Sequence, residues 1–415
     1  MRAFGAALTA RGARRFFFAH AQSSIGSGIA IVGLPLLAYE RFHTPWALTV
    51  VLLSELLPAV VLGPLLGALA DRLPRRTCLV AADVLRLGAF GALAFVPSFG
   101  LMIACALLAG VGTALFNPSA LASLSQVAKP EHRPAAMSLY SALDDVGLTL
   151  GPAIAGALLI VSDPQTLMAI NAITFTLSAG LLATIPLDVP IRRAGMSLLA
   201  SLRSGTREII ARPGVRILLG SSTVAVIAVG MVNVGEVMLA RELLGVGGSG
   251  LAALMTASGV GTFLGSTFGT RTGTTWQWRK AYMLGLVCMA VDLLLCAVAP
   301  FFWLILVTFA LGGFGNGLAL VHDRLLLAHV VPEALHGRLF ALHKTCTSGA
   351  FVIAFVAAGV LISTLGVQAM FLCAGLLLIV IILVVRPHLR ALWPEPVAAE
   401  PAAATPLPVP QPGTT

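Results

Sequence analysis

Runs of about twenty apolar residues recur along the whole of this 415-residue chain, and each is long enough to cross the roughly 30 Å hydrocarbon core of a bilayer as a helix. Twelve can be drawn, at about 15–38, 46–70, 77–97, 99–126, 135–161, 165–185, 214–240, 249–270, 280–299, 301–330, 339–363 and 367–385. Soluble domains carry about 25% charged residues. Here 10% are charged and 58% are hydrophobic, so a water-soluble globule is excluded. The expected fold class is an all-α integral membrane protein with twelve transmembrane helices.

The net charge of +9 then reads as topology. If the N-terminus is cytoplasmic, the loops after even-numbered spans are cytoplasmic too. Arg2, Arg11, Arg14 and Arg15 lie in the N-terminal arm, Arg72, Arg75 and Arg76 in the second loop, Lys129 and Arg133 in the fourth. The central loop holds Arg192, Arg193, Arg203, Arg207, Arg212 and Arg216; the eighth holds Arg271, Arg279 and Lys280, the tenth Arg338, and the tail Arg386 and Arg390. Only Arg41 and Arg241 fall on the other side. Basic residues accumulate in cytoplasmic loops, so both termini are expected in the cytoplasm and the protein in the cytoplasmic membrane. Charges scattered over short loops do not form a nucleic-acid surface.

The chain also repeats itself at half length. Pro130-Glu131 matches Pro332-Glu333, an offset of 202 (332 − 130), and Gly63, Gly67 and Gly110 match Gly265, Gly269 and Gly312 at that same offset. Two parallel six-helix repeats follow, with a pathway expected at their interface. The expected organisation is an arm at 1–14, a six-helix half at 15–185, a cytoplasmic linker at 186–213, a second half at 214–385 and a tail at 386–415. In the linker, Leu198, Leu199, Leu202, Ile209 and Ile210 are spaced as one face of a surface helix. The Pro/Ala-rich tail has little to bury and is expected to be disordered.

Between the second and third spans the sequence Gly67-Ala-Leu-Ala-Asp71-Arg72-Leu-Pro-Arg75-Arg76 makes a tight turn with one carboxylate and three arginines. It resembles the loop signature of the major facilitator superfamily, Gly-x-Leu-Ala-Asp-Arg-x-Gly-Arg-Arg/Lys, with Pro74 in place of the last Gly. In the fifth span, Gly147-Leu-Thr-Leu-Gly151-Pro152-Ala-Ile-Ala-Gly156 resembles the exporter signature Gly-x-x-x-Gly-Pro-x-x-Gly-Gly, with Ala155 departing. Glycines four apart admit a neighbouring helix, and Pro loosens the helical ladder. The second copy of the turn, Thr270 to Lys280, lacks the acid, so Asp71 is the better candidate for a gate. The resemblance implies that Asp71 sits against the N-terminus of the eleventh helix when the protein opens outward. Ser24-Ile-Gly26, Ala82-Asp83-Val-Leu-Arg86, Phe116-Asn117-Pro118 and Gly337-Arg338 are similar to the twelve-helix branch of macrolide-efflux and siderophore-secretion proteins. Ser27 and Ala106 stand where relatives carry an Asp and an Arg associated with proton coupling, so coupling must be sought in the charges that are present.

Charges within a span are costly and mark function by default. Asp144 and Asp145 lie about 14 Å into the fifth span and Asp292 about 18 Å into the ninth, near the midplane. Two adjacent carboxylates in a low dielectric do not readily ionise together and would share a proton. These three acids are the candidates for proton coupling or substrate contact. Asp144 shares a stripe with Gly147 and Gly151, where a dry contact would demand a partner such as Arg324 or Lys344; Asp145 shares the other face with Thr149, Pro152 and Gly156. Asp83 and Arg86 can pair at i,i+3 and are assigned, with the turn, to an inner gate. Glu55 and Glu236 lie toward the outer side, where a solvated position at a cavity mouth is favoured. His322-Asp323-Arg324 and His343-Lys344 cluster toward the inner side.

The six cysteines form no CxxC pair and read as small buried side chains. No three-histidine metal pattern, phosphate-cradling loop or nucleophile-base set is present, so no cofactor or enzymatic activity is expected. Arg14 to Ala21 has too short an apolar core for a cleaved signal. The sequence therefore reads as a secondary exporter of small lipophilic or amphipathic compounds, drugs or a secreted metabolite, driven by protons and functioning as a monomer among membrane lipids. A dedicated metabolite or lysolipid exporter, or a non-transporting sensor on the same fold, are the alternatives.

Overall fold

The computed structural model describes residues 12–70, 72–95, 98–187, 210–269, 272–298, 301–332 and 335–393. Within them run twelve long helices: α1 Ala13–Phe42, α2 Pro45–Ala70, α3 Arg75–Leu93, α4 Phe99–Val127, α5 Arg133–Leu158, α6 Pro164–Ala183, α7 Pro213–Met238, α8 Gly247–Gly269, α9 Thr275–Val298, α10 Phe302–Val330, α11 His336–Leu365 and α12 Val367–Leu392. Ten are long and apolar enough to cross a membrane. The other two, α3 and α5, carry Arg75, Arg76, Asp83 and Arg86, and Arg133, Asp144 and Asp145. Such charges are compatible with a span when they face protein or a water-filled cavity.

Local chemistry sets the turns. Asp163 caps α6, accepting from the Thr166 N–H and hydroxyl at 2.8 Å each, with Pro164 at the first helical position. Those bonds, the backbone one first, hold the Asp163 carboxyl below the usual carboxylate range. One residue, Gly366 at φ 89°, joins α11 to α12, a conformation open to glycine.

The repeat is visible in the packing. In the first half α1 packs on α5 and α6, α2 on α4, and α3 on α4 and α6. In the second, α7 packs on α11 and α12, α8 on α10, and α9 on α10 and α12. The halves meet through α5 against α8 and α2 against α11.

The repeated glycines do not repeat their work. A Cβ on Gly265 would lie 2.9 Å from the Phe314 carbonyl carbon, and Gly313 and Gly317 meet Ser258 and Thr262, so α8 and α10 approach backbone to backbone. Their first-half counterparts Gly63 and Gly67 face open space. Beyond residue 385 the chain continues as helix to Leu392, so the start of the stretch read as tail is ordered into α12. Asp71, the arm to residue 11, the linker positions 188–209 and the tail from 394 lie outside the described residues.

Candidate functional site

Because the helices alternate in direction, one end of the bundle carries the start of α1 and the end of α12; the other is the far end. Hydrogen bonds and ion pairs between the halves, among the described residues, lie at the far end. Arg241 pairs with Glu40, the Tyr39 hydroxyl donates to Glu242 at 3.2 Å, and the Thr49 hydroxyl donates to the Phe355 carbonyl at 3.4 Å. A π-helical turn, Leu239–Leu243, ends α7 and presents Arg241 and Glu242. Such turns re-aim side chains. Small residues complete the closure: Gly248 meets Leu36 and Leu159, Gly156 meets Ala252, and Gly359 meets Thr49. Toward the termini no such contact joins the halves among the described residues, and a Cβ added at Gly63, Gly67 or Gly349 would have nothing within 4 Å. Among the described residues, the bundle is shut at the far end and open at the terminal end.

Helix α5 lines this opening. Its Gly147-Gly151 stripe meets α1, where a Cβ on Gly147 would lie 2.6 Å from the Ser24 carbonyl carbon and one on Gly151 would lie 2.8 Å from the Ile29 nitrogen. Pro152 cannot bond the Leu148 carbonyl, and that oxygen lies against Gly259 of α8. The exporter-like stretch thus touches α1 through Gly147 and Gly151 and α8 through Gly156.

Asp144 and Asp145 sit at the middle of α5 and are both exposed. The partner of Asp144 is His20 of α1, with Nε2 3.1 Å from Oδ1, and Ser24 donates to the same oxygen at 3.1 Å. Neither Arg324 nor Lys344 fills that role, because the close α1–α5 contact brings α1 side chains nearest. Nor is the site dry: the Asp144 side chain is 49% exposed. The His20 ring stacks on Tyr140 at 3.8 Å and 8°, and Nε2 also lies 3.3 Å from the Tyr140 carbonyl. Sequence reasoning missed His20, although an ionisable residue within a span was the available signal. Asp145 has no such partner among the described residues; Asp144 and Arg324 of α10 are the charges that act on it there.

The other acids stand apart. Asp292 is buried six residues from the far end of α9. Cys296 Sγ donates to it at 3.5 Å, and it packs on Gly312. Glu236 is buried opposite Asp292 rather than solvated at a cavity mouth, because α7 carries it into the closed end. Glu55 is half-buried.

Asp83 and Arg86 form the ion pair expected from their spacing, with the Arg86 guanidinium over the Phe116 and Phe175 rings at 4.1 and 4.3 Å. The pair is buried among α3, α4 and α6, and no described contact joins it to the turn. In the turn, Arg75 donates to the Ala122 carbonyl and to Ser125 Oγ of α4, while Arg72 and Arg76 are exposed. In the second half, His343 lies 3.0 Å from Asp323 and His322 bonds Thr272 at 2.8 Å. Among the described residues no three His, Cys, Asp or Glu side chains are grouped to hold a metal. Four cysteines are buried, but Cys346 is half-buried and Cys373 exposed, so burial is not general as the composition suggested.

The sequence model of the Major Facilitator Superfamily matches residues 16–243 and 218–411. An uncharacterized MFS-type transporter, YfiS, of Bacillus subtilis is 26% identical over 86% of this chain and 88% of its own. The multidrug efflux pump Tap of Mycolicibacterium fortuitum is 26% identical over 90% and 95%. Macrolide efflux protein A of Streptococcus pyogenes is 23% identical over 88% and 92%. In structure, a bacterial homolog of the human lysosomal transporter Spinster, inward-facing and unoccupied, superposes with a TM-score of 0.70 at 13% identity, covering 91% of this chain and 96% of that one.

Proposed function

The chain belongs to the major facilitator superfamily of membrane transporters, which are not enzymes, and on that premise we propose that it is a proton-driven exporter of lipophilic or amphipathic compounds in the cytoplasmic membrane. The loop arginines support a cytoplasmic terminal end, which makes this arrangement an inward-open one. What supports the reading is that Asp144 and Asp145 lie at the middle of α5 and are both exposed, with Arg324 of the other half among the charges acting on Asp145. Export supports itself further on the α5 stripe and on relatives named as efflux pumps.

In this reading substrate enters from the cytoplasm while Asp145 is ionised. Closure of the inner end, by rocking of the halves on the α5–α8 and α2–α11 contacts, opens the far end. Protonation there favours release and return. Asp145 is the exchangeable group, because Asp144 is already engaged by His20 and Ser24. Transport into proteoliposomes under an imposed pH gradient tests this. Asp145→Asn should abolish gradient-driven accumulation and leave substrate exchange. Asp144→Asn and His20→Gln should resemble each other, since they break one pair. Wild-type accumulation by both Asn variants would remove α5 as the coupling site and make Asp292 the next candidate.

A further inference from the structure

Two opposite charges, one from each half, lie within electrostatic reach and do not pair. Asp145 of α5 and Arg324 of α10 are both exposed, and Arg324 is one of the charges acting on Asp145. No ion pair joins them among the described residues. Helices α5 and α10 both pack on α8: a Cβ on Gly259 of α8 would lie 3.3 Å from the Thr149 Cα of α5, and Gly313 and Gly317 of α10 meet Ser258 and Thr262. Helix α8 carries no ionisable residue, so nothing on it neutralises either charge. The acids beside them are already engaged. Asp323 lies 3.0 Å from His343, and Asp144 is held by His20 and Ser24.

Depth sets the spacing. Asp145 is twelve residues (145 − 133) from the start of α5 and Arg324 six (330 − 324) from the end of α10, about 18 and 9 Å from the terminal end at 1.5 Å per residue. The acid therefore lies about 9 Å deeper than the cation, a span that two or three residues of extended chain cover at about 3.3–3.6 Å each. When the inner end closes and water leaves, a singly charged ligand strands one of the two groups without a counter-charge, which is costly. A ligand with a cationic and an anionic end satisfies both. Because the two groups belong to different halves, such a ligand also ties the halves together, and so has the differential affinity for the closed inner end that a ligand-driven transition requires.

We propose that the substrate is an amphipathic zwitterion of about dipeptide length, whose ammonium group binds Asp145 and whose carboxylate binds Arg324 across the opening. The planar guanidinium is suited to a carboxylate. A proton and the ammonium group then compete for one carboxylate, which is what exchange demands. The assignment rests on the exporter reading with Asp145 as the exchangeable group and narrows its substrate class. Binding itself needs no gradient, so it can be measured apart from coupling.

Isothermal titration calorimetry of the purified full-length protein in neutral detergent tests it, with three probes of one shape: phenylalanyl-phenylalanine, its C-terminal amide, which keeps only the cation, and its N-acetyl form, which keeps only the anion. Wild type should bind the zwitterion about tenfold more tightly than either singly charged form. Arg324→Gln should weaken the zwitterion and the N-acetyl form by about tenfold and leave the amide unchanged. Asp145→Asn should weaken the zwitterion and the amide and leave the N-acetyl form unchanged. No binding of the zwitterion, equal affinity for all three probes in wild type, or an equal loss for all three in Arg324→Gln would each overturn the proposal, the last by leaving Arg324 as a neighbour that only sets the charge on Asp145. Retained discrimination among the probes with no gradient-driven accumulation in proteoliposomes would instead strike the coupling and leave the substrate class standing.

Discussion

Removing the Arg241–Glu40 pair should open the far end. The pair is 26% and 35% exposed on its two sides, which places it among partly solvated ion pairs worth about 1 kcal/mol. The Tyr39 hydroxyl on Glu242, at 3.2 Å, adds about 1 kcal/mol. Both contacts join the two halves and can exist only when the far end is shut, so their loss is not shared by the outward-open state. Arg241→Gln should therefore shift the ratio of the two states about fivefold, and addition of Tyr39→Phe should bring the total to about thirtyfold. The folded state of each half is not at stake, since the ion pair is partly solvated and Tyr39→Phe keeps the ring that packs against the core. Spin labels at Thr44 and Leu365, both exposed at the far end, with the exposed Cys373 replaced, give the distance distribution by double electron–electron resonance. The long-distance population should grow in Arg241→Gln, and Glu40→Gln should match it, the double variant adding nothing. Distributions identical to wild type in all of these variants would refute the latch.

Two further outcomes follow from the packing and the turn. Gly151→Ala places a methyl 2.8 Å from the Ile29 backbone nitrogen, whereas Gly180 has open space around it; the first should cost about 1–3 kcal/mol and lower the Tm of the purified protein, the second should not, and equal Tm values would remove the α1–α5 contact as the reason for the stripe. Asp71→Asn should insert normally and transport poorly, with Arg75→Gln and Arg76→Gln milder, because a helix N-terminus carries about half a positive charge for Asp71 to meet; wild-type transport by correctly inserted Asp71→Asn would exclude the gate.

Twelve helices, their order, their twofold repeat and the exporter-like stripe were legible because each is a local property: apolar length, loop charge and the spacing of glycines all survive without knowledge of neighbours. The i,i+3 pair of Asp83 and Arg86 was legible for that same reason. Partnerships between helices were not. Asp144 could be placed at mid-membrane from its position along α5, but its pairing with His20 depends on the glycine stripe drawing α1, and no other helix, to that face. Glu236 carries the same hydropathy whether solvated or buried; only the closure of the far end puts it inside. The repeat in sequence likewise could not tell that Gly265 would be buried against Phe314 while Gly63 faced open space. Alternating states share one sequence and one set of helices, so which end is shut is decided by contacts between halves, and those exist only in the assembled bundle.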